Sequence, residues 1–183
     1  ELYLPGLRLD QFHNPYFASE PYLLAALERD PGYSPANVQL GLKALKDFNW
    51  DKAGAYFKTA YDRVTMRYTR ARDCEPLYYL GIVERRKGNL KHSYDWFYRA
   101  SWDQDWHSAS YLQLAQIDCI RGEYDKALDH IERSISTNTE NIFAQDLKGV
   151  ILRKLGRADE AAAQFAASPL RRQSSFTYRS SSV

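Results

Sequence analysis

Four histidines (His13, His92, His107, His130) and two cysteines (Cys74, Cys119) are the side chains best able to ligate a metal, carry a nucleophile or shuttle a proton. Metal chemistry on a helix needs such groups on one face, as in H-E-x-x-H, where two histidines stand one turn apart. No two of these histidines have that spacing. The cysteines lie far apart in sequence, form no disulfide framework, and read as small buried apolar groups. A G-x-x-x-x-G-K-[ST] phosphate loop, a G-x-G-x-x-G fingerprint and a G-x-S-x-G nucleophile elbow are all absent from the sequence. Carboxylates are numerous but interleaved with lysines and arginines, the pattern of solvated helix faces. Asp103 and Asp105 could be paired as acid and base, but they fit better as the cap or lead-in of a helix near residue 108. The sequence therefore predicts no catalytic residues, no metal site and no cofactor, and a protein that is not an enzyme.

The bulk composition narrows the remaining classes. Of 183 residues, 44% are hydrophobic and 26% charged, which is ordinary globular composition and enough for one sizeable core or several stacked units. Fourteen tyrosines, eight phenylalanines and four tryptophans predict an aromatic-heavy core. The net charge is +2, and Arg171, Arg172 and Arg179 in the last fifteen residues carry the excess; the body without them holds 22 basic and 23 acidic residues. A balanced body is not that of a phosphate-backbone binder, so no nucleic acid is expected. No apolar stretch approaches the ~18 residues of a membrane span, so no membrane is expected either. No basic n-region with an apolar run follows Glu1, so no signal peptide is read and a cytoplasmic fragment of a longer parent is expected.

Internal periodicity is the strongest signal. Leu40-Gly41, Leu80-Gly81, Leu114-Ala115 and Lys148-Gly149 place small residues at intervals of 40, 34 and 34. Twelve residues after each comes Ala53-x3-Phe57, Ser93-x3-Phe97, Ala127-x3-Ile131 and Ala161-x3-Phe165. Gly88, Gly122 and Gly156 follow in the same register, with Phe48 in that place in the first unit, and Ala60, Ala100, Ser134 and Ser168 make a fourth set. Each unit predicts two antiparallel helices. A small residue on the first lets the second come close, and the small-x3-large pair stands one turn apart on the second. A turn glycine ends the first helix without a Cβ penalty.

These positions resemble the tetratricopeptide (TPR) pattern, W-x2-L-G-x2-Y, then A-x3-F, then P. The resemblance implies an all-α fold, an α-α superhelix or TPR solenoid of about four helix-turn-helix repeats plus a partial first repeat. The expected divisions are 1–33, an opening segment and partial repeat; 34–73, with an insertion; 74–107; 108–141; 142–168; and a Ser/Arg-rich tail at 169–183. Residues 1–15 read as extended, broken at Pro5-Gly6 and Asn14-Pro15. Helices are predicted near 19–30, 35–47, 50–70, 75–87, 90–102, 108–121, 124–137, 142–155 and 158–167. The six extra residues of the first full repeat lengthen the helix after Ala60 or loop out around Thr69 to Asp73. A closer resemblance runs from Leu2-Tyr3-Leu4 and Gln11-Phe12-His13-Asn14-Pro15 through Ala26-Leu27-Glu28-Arg29-Asp30-Pro31 to Tyr78-Tyr79-Leu80-Gly81 and Ala100-Ser101-Trp102. It is to bacterial proteins that join an uncharacterised, sugar-enzyme-like N-terminal region to TPRs, and it implies a helper module beside such a domain.

First helices of a TPR line its concave face, with side chains from places two, five, nine and twelve of each repeat turned inward. The polar or aromatic candidates are Tyr78, Arg85, Gln113, Gln116, Asp146 and Arg153, with Arg86 and Lys154 beside them. Arg85 and Arg153 are suited to a carboxylate of an acidic peptide. The clamp positions used by TPRs that grip a Glu-Glu-Val-Asp tail hold Val38 and Leu42 here, which points to an apolar segment instead. Phe97 and Tyr111 read as core, Trp102 and Trp106 as packing between repeats, and Arg63, Arg67, Arg70 and Arg72 as a basic cluster at a helix end. The function expected is a protein-protein or interdomain scaffold, with a carbohydrate-active accessory module as the alternative. Its partner would be a protein, a peptide or a neighbouring domain, and exposed terminal repeats also allow a homo-oligomer.

Overall fold

The computed structural model describes residues 2–12, 16–68 and 70–167. The Asn14-Pro15 break, His13, Ser168 and the tail at 169–183 lie outside the described residues. Among those described are ten α-helices and no strand. They are α1 (Tyr3–Gln11), α2 (Glu20–Arg29), α3 (Ser34–Lys46), α4 (Trp50–Thr65), α5 (Glu75–Arg86), α6 (Leu90–Ala100), α7 (Gln104–Arg121), α8 (Tyr124–Thr137), α9 (Ile142–Lys154) and α10 (Ala158–Ala167). The chain divides into two compact units, Glu1–Arg99 and Ala100–Val183. In the first, α1 packs on α2, α2 on α3, α3 on α4 and α4 on α5. In the second, α7 packs on α8, α8 on α9 and α9 on α10. The fold is all-α and built from helix-turn-helix pairs, as the repeat requires.

Local chemistry sets the helix starts. Pro21, Pro35 and Pro76 stand in the first turns of α2, α3 and α5, where their missing N–H leaves no bond unmade. Asn49 and Asn141 cap α4 and α9 by accepting from Lys52 N and Ala144 N, and Asp103 caps α7 by accepting from Asp105 N. The Asp103 cap starts α7 at Gln104, about one turn ahead of the predicted residue 108.

Four first helices end alike. Asn89 N donates to Glu84 O and Gly88 N to Arg85 O, and the same paired bonds recur at Asn49/Phe48, Glu123/Gly122 and Arg157/Gly156. The residue at the bend takes positive φ: +83° at Gly88, +77° at Gly122, +78° at Gly156, and +57° at Phe48. Phe48 holds a left-handed conformation that its Cβ disfavours, with an edge contact to Trp50 at 5.6 Å between ring centroids.

The small residues mark the helix crossings. A Cβ on Gly41 would lie 2.5 Å from the Phe57 ring, one on Gly81 2.6 Å from Phe97, and one on Gly149 2.6 Å from Phe165. Each glycine is therefore a notch filled by the phenyl ring sixteen residues on. The third repeat makes the opposite exchange, with Ala115 facing the slimmer Ile131, and both are fully buried. Where serine replaces alanine, its hydroxyl is satisfied across the pair. Ser93 Oγ donates to Gly81 O at 2.8 Å, and Ser134 Oγ to Ser108 O at 2.8 Å.

The opening segment departs from its predicted extended form. It folds as α1, because Pro5 falls in the first turn and Gly6 is buried against Leu23, Tyr22 and Ser19 of the α2 region. Asp10 on α1 accepts from Ser19 Oγ and from Lys43 Nζ, both at 2.8 Å, which ties α1 to α3. The insertion resolves as both predicted alternatives. α4 runs to Thr65, and the chain then loops to α5. Phe48→Gly should relieve the left-handed strain of about 1–2 kcal/mol, against the smaller cost of glycine entropy and the lost ring contact. The expected result is a urea midpoint raised by the equivalent of about 0.5–1 kcal/mol.

Candidate functional site

In the first unit, Tyr78 and Arg85 stand seven residues apart on α5, on one stripe with Glu75 and Ile82. Tyr78 packs its ring against Tyr79 and Phe97, each at 5.5 Å, so half of it serves the core. Burial, and then the adjoining Asp73 carboxylate, push the Glu75 carboxyl up. Burial, with Glu75 and Tyr78 beside it, pushes the Tyr79 phenol up to about 12. Burial, with Glu75 and Tyr33 as lesser causes, also pushes the Tyr3 phenol up. At the other end of the stripe, burial and the neighbouring Arg86 hold the Arg85 guanidinium below the usual arginine range. A guanidinium so placed gains from an arriving carboxylate. On α3, Val38 is buried in the core and not on the floor expected for it, because the Phe57, Leu80 and Val83 cluster encloses it, while Leu42 is half-buried against that cluster.

In the second unit, Gln113 and Gln116 lie half-buried on α7, beside Leu112 and Cys119. Burial, and then the Asp118 carboxylate, push the Cys119 thiol up, the reverse of what a nucleophile requires. Asp146 and Arg153 share a stripe of α9 with Phe143 and Val150, spaced three, four and three residues apart. Phe143 is 80% exposed and Val150 47%. The sequence reading named the two charged members and missed the two apolar ones. Yet Phe143 holds place two of its repeat and Val150 place nine, so the same register could have found them.

Between α7 and α8 runs a polar chain that no motif announced. His130 Nδ1 lies 2.6 Å from Asp118 Oδ2, and Asp118 is fully buried. Tyr111 meets the His107 ring edge-on at 4.6 Å and the tilted His130 ring at 5.5 Å, and Arg133 covers the Tyr111 ring at 5.6 Å. An Asp-His pair can orient a base, but this one is enclosed in a helix crossing, and Asp118 Oδ1 accepts no hydrogen bond. Among the described residues, no three His, Cys, Asp or Glu side chains converge as a metal site. Phe97 and Tyr111 are core residues as expected, whereas Trp102 is 53% exposed.

The profile of the tetratricopeptide repeat-like domain matches residues 85–176, just over half of the chain. This chain belongs to that family. Solved TPR structures share the fold. A MamA crystal structure is 20% identical over 94% of this chain and 97% of its own, with a TM-score of 0.75. PilF of Pseudomonas aeruginosa is 18% identical over 90% and 72%, with a TM-score of 0.77. YrrB, described as a TPR protein with an unusual peptide-binding site, is 16% identical over 89% and 80%, with a TM-score of 0.67. At such identities the likeness shows the TPR fold alone.

Within that fold the Asp118–His130 pair holds two helices of one TPR together. Replacing Asp118 with alanine strands the His130 ring and should cost about 1–3 kcal/mol in guanidinium unfolding. Asp118→Leu combined with His130→Leu should return most of that loss, because an apolar pair of similar volume replaces a buried polar one. Equal losses in the single and double variants would remove the pair from this role.

Proposed function

We propose that this TPR chain is a non-catalytic scaffold that holds a polypeptide on its first-helix faces. The polypeptide is a peptide, a protein partner or a neighbouring domain of the parent chain. Tyr78 and Arg85 are the contact residues of the first unit, and Gln113, Gln116, Asp146 and Arg153 those of the second. The observation that carries the proposal is the α9 stripe, where an 80% exposed Phe143 and Val150 alternate with Asp146 and Arg153. An exposed aromatic beside an aliphatic and two opposite charges offers an apolar anchor with polar groups to fix its direction. YrrB, whose peptide site is named in its description, supports the reading by analogy of fold. The resemblance to repeats that follow a sugar-enzyme-like region extends it, with a carbohydrate-active domain as the neighbour held. Cys74 and Cys119 form no disulfide, which suits a reducing compartment such as the cytoplasm.

Peptides selected on the whole chain from a random display library would be measured by calorimetry against Phe143→Ser and Arg153→Glu. Both side chains are exposed, so the melting temperature should stay within about a degree or two of the parent. Affinity should fall by about tenfold or more, ~1.4 kcal/mol per variant. Selected peptides that bind both variants as tightly as the parent would contradict the proposal.

A further inference from the structure

Outside these faces, the loop joining α4 to α5 borders an open surface pocket of about 630 Å³ in the first unit. This is the size of a pocket that takes a few side chains of a peptide. Among the described residues its walls carry three guanidiniums, Arg63, Arg67 and Arg72, against one carboxylate, Asp73. Two of these charged groups are already engaged. Arg63 Nη2 donates to Asp30 Oδ2 at 2.6 Å, and Asp73 Oδ1 accepts from Glu75 N at 2.8 Å. Arg67 and Arg72 have no ion-pair partner among the described residues. The remaining wall is apolar: Val64, with Met66 and Tyr68 both more than 60% exposed.

The loop takes up part of a six-residue insertion in the first repeat. The later repeats follow one another at 34-residue intervals, while the first takes 40. α3, α4 and α5 pack through Gly41, Phe57, Ala60 and Val83, none of which lies in the loop. Residues the packing does not need here bring together two uncompensated guanidiniums, a thioether and a phenol. We propose that the pocket of the α4–α5 loop is a second binding site, separate from the α9 stripe, which takes an acidic polypeptide segment by pairing its carboxylates with Arg67 and Arg72 and seating an adjacent apolar side chain on Met66 and Tyr68. Guanidinium forks match carboxylates bidentately, and an apolar wall beside them selects a peptide whose acids alternate with apolar residues. A nucleic acid strand is the poorer match. It needs a basic track and successive stacking rings, and here the positive charge is local and, among the described residues, Tyr68 is the one ring in the wall.

The test uses the whole chain and a fluorescein-labelled peptide of glutamates alternating with leucines, followed by anisotropy. The controls are the same peptide with glutamine for glutamate and a single-stranded oligonucleotide of equal charge. The acidic peptide should bind at least tenfold tighter than either control and weaken as salt is raised. Combining Arg67→Ala with Arg72→Ala should weaken it by about tenfold or more without moving the melting temperature, while Phe143→Ser leaves it unchanged. The proposal is overturned if the glutamine peptide binds equally well or the oligonucleotide binds tighter. It is equally overturned if the arginine variant binds as the parent does, or if Phe143→Ser abolishes binding.

Discussion

Two helices can pair closely only where one lacks a side chain and the other supplies a large one, and this exchange of volume recurs through the chain. At Gly41, Gly81 and Gly149 the backbone of a first helix receives the ring of Phe57, Phe97 or Phe165, at a distance that leaves no room for a methyl group. At Ala115 the methyl is present and the partner shrinks to Ile131. The summed volume is held nearly constant while its division changes, which is the behaviour of a close-packed interior. Much else follows from that distance. Ser93 and Ser134 reach a carbonyl on the facing helix because the helices are close enough for a hydroxyl to span them. The left-handed bends at Gly88, Gly122 and Gly156 return the chain in two or three residues, so that the crossing falls in the same place in each pair.

Because the crossings supply the cohesion, the outer stripes of the helices carry other residues at little cost to the core. Phe143, Asp146, Val150 and Arg153 occupy such a stripe, as do Glu75 and Arg85. The insertion after Ala60, shared between a longer α4 and the loop that follows it, is another such freedom, since removing six residues there would restore the 34-residue interval of the later repeats. The polar chain through His107, Tyr111, His130 and Asp118 differs in kind. It replaces apolar packing within one crossing by a hydrogen bond and edge and tilted ring contacts, and it confines α7 and α8 to the geometry that keeps Asp118 paired.

The repeat register was legible because each of its marks answers a steric demand repeated at 34 residues: glycine at the notch, phenylalanine in it, glycine at the bend. α1 was not legible. Pro5-Gly6 reads as a break in isolation, and becomes helical because Pro5 falls in a first turn and Gly6 meets Leu23, a contact that sequence spacing does not encode. The Asp118–His130 pair was hidden for a similar reason. The two residues stand twelve apart on different helices, so no single-helix motif contains them. The predicted stripes on α5 and α9 came from the register, but selecting by polarity passed over Phe143 and Val150, whose exposure is what makes the α9 face distinctive.

The exchange of volume at the crossings is tested most directly by a double-mutant cycle on Gly81 and Phe97, read by urea unfolding. Gly81→Ala alone should destabilise by about 1–3 kcal/mol through overpacking, in spite of alanine's better helix propensity. Phe97→Ile alone should also destabilise, by opening space. Together they recreate the Ala115–Ile131 arrangement, and the double variant should be more stable than the sum of the single losses predicts by at least about 1 kcal/mol. Losses that simply add, or a Gly81→Ala chain as stable as the parent, would contradict the account.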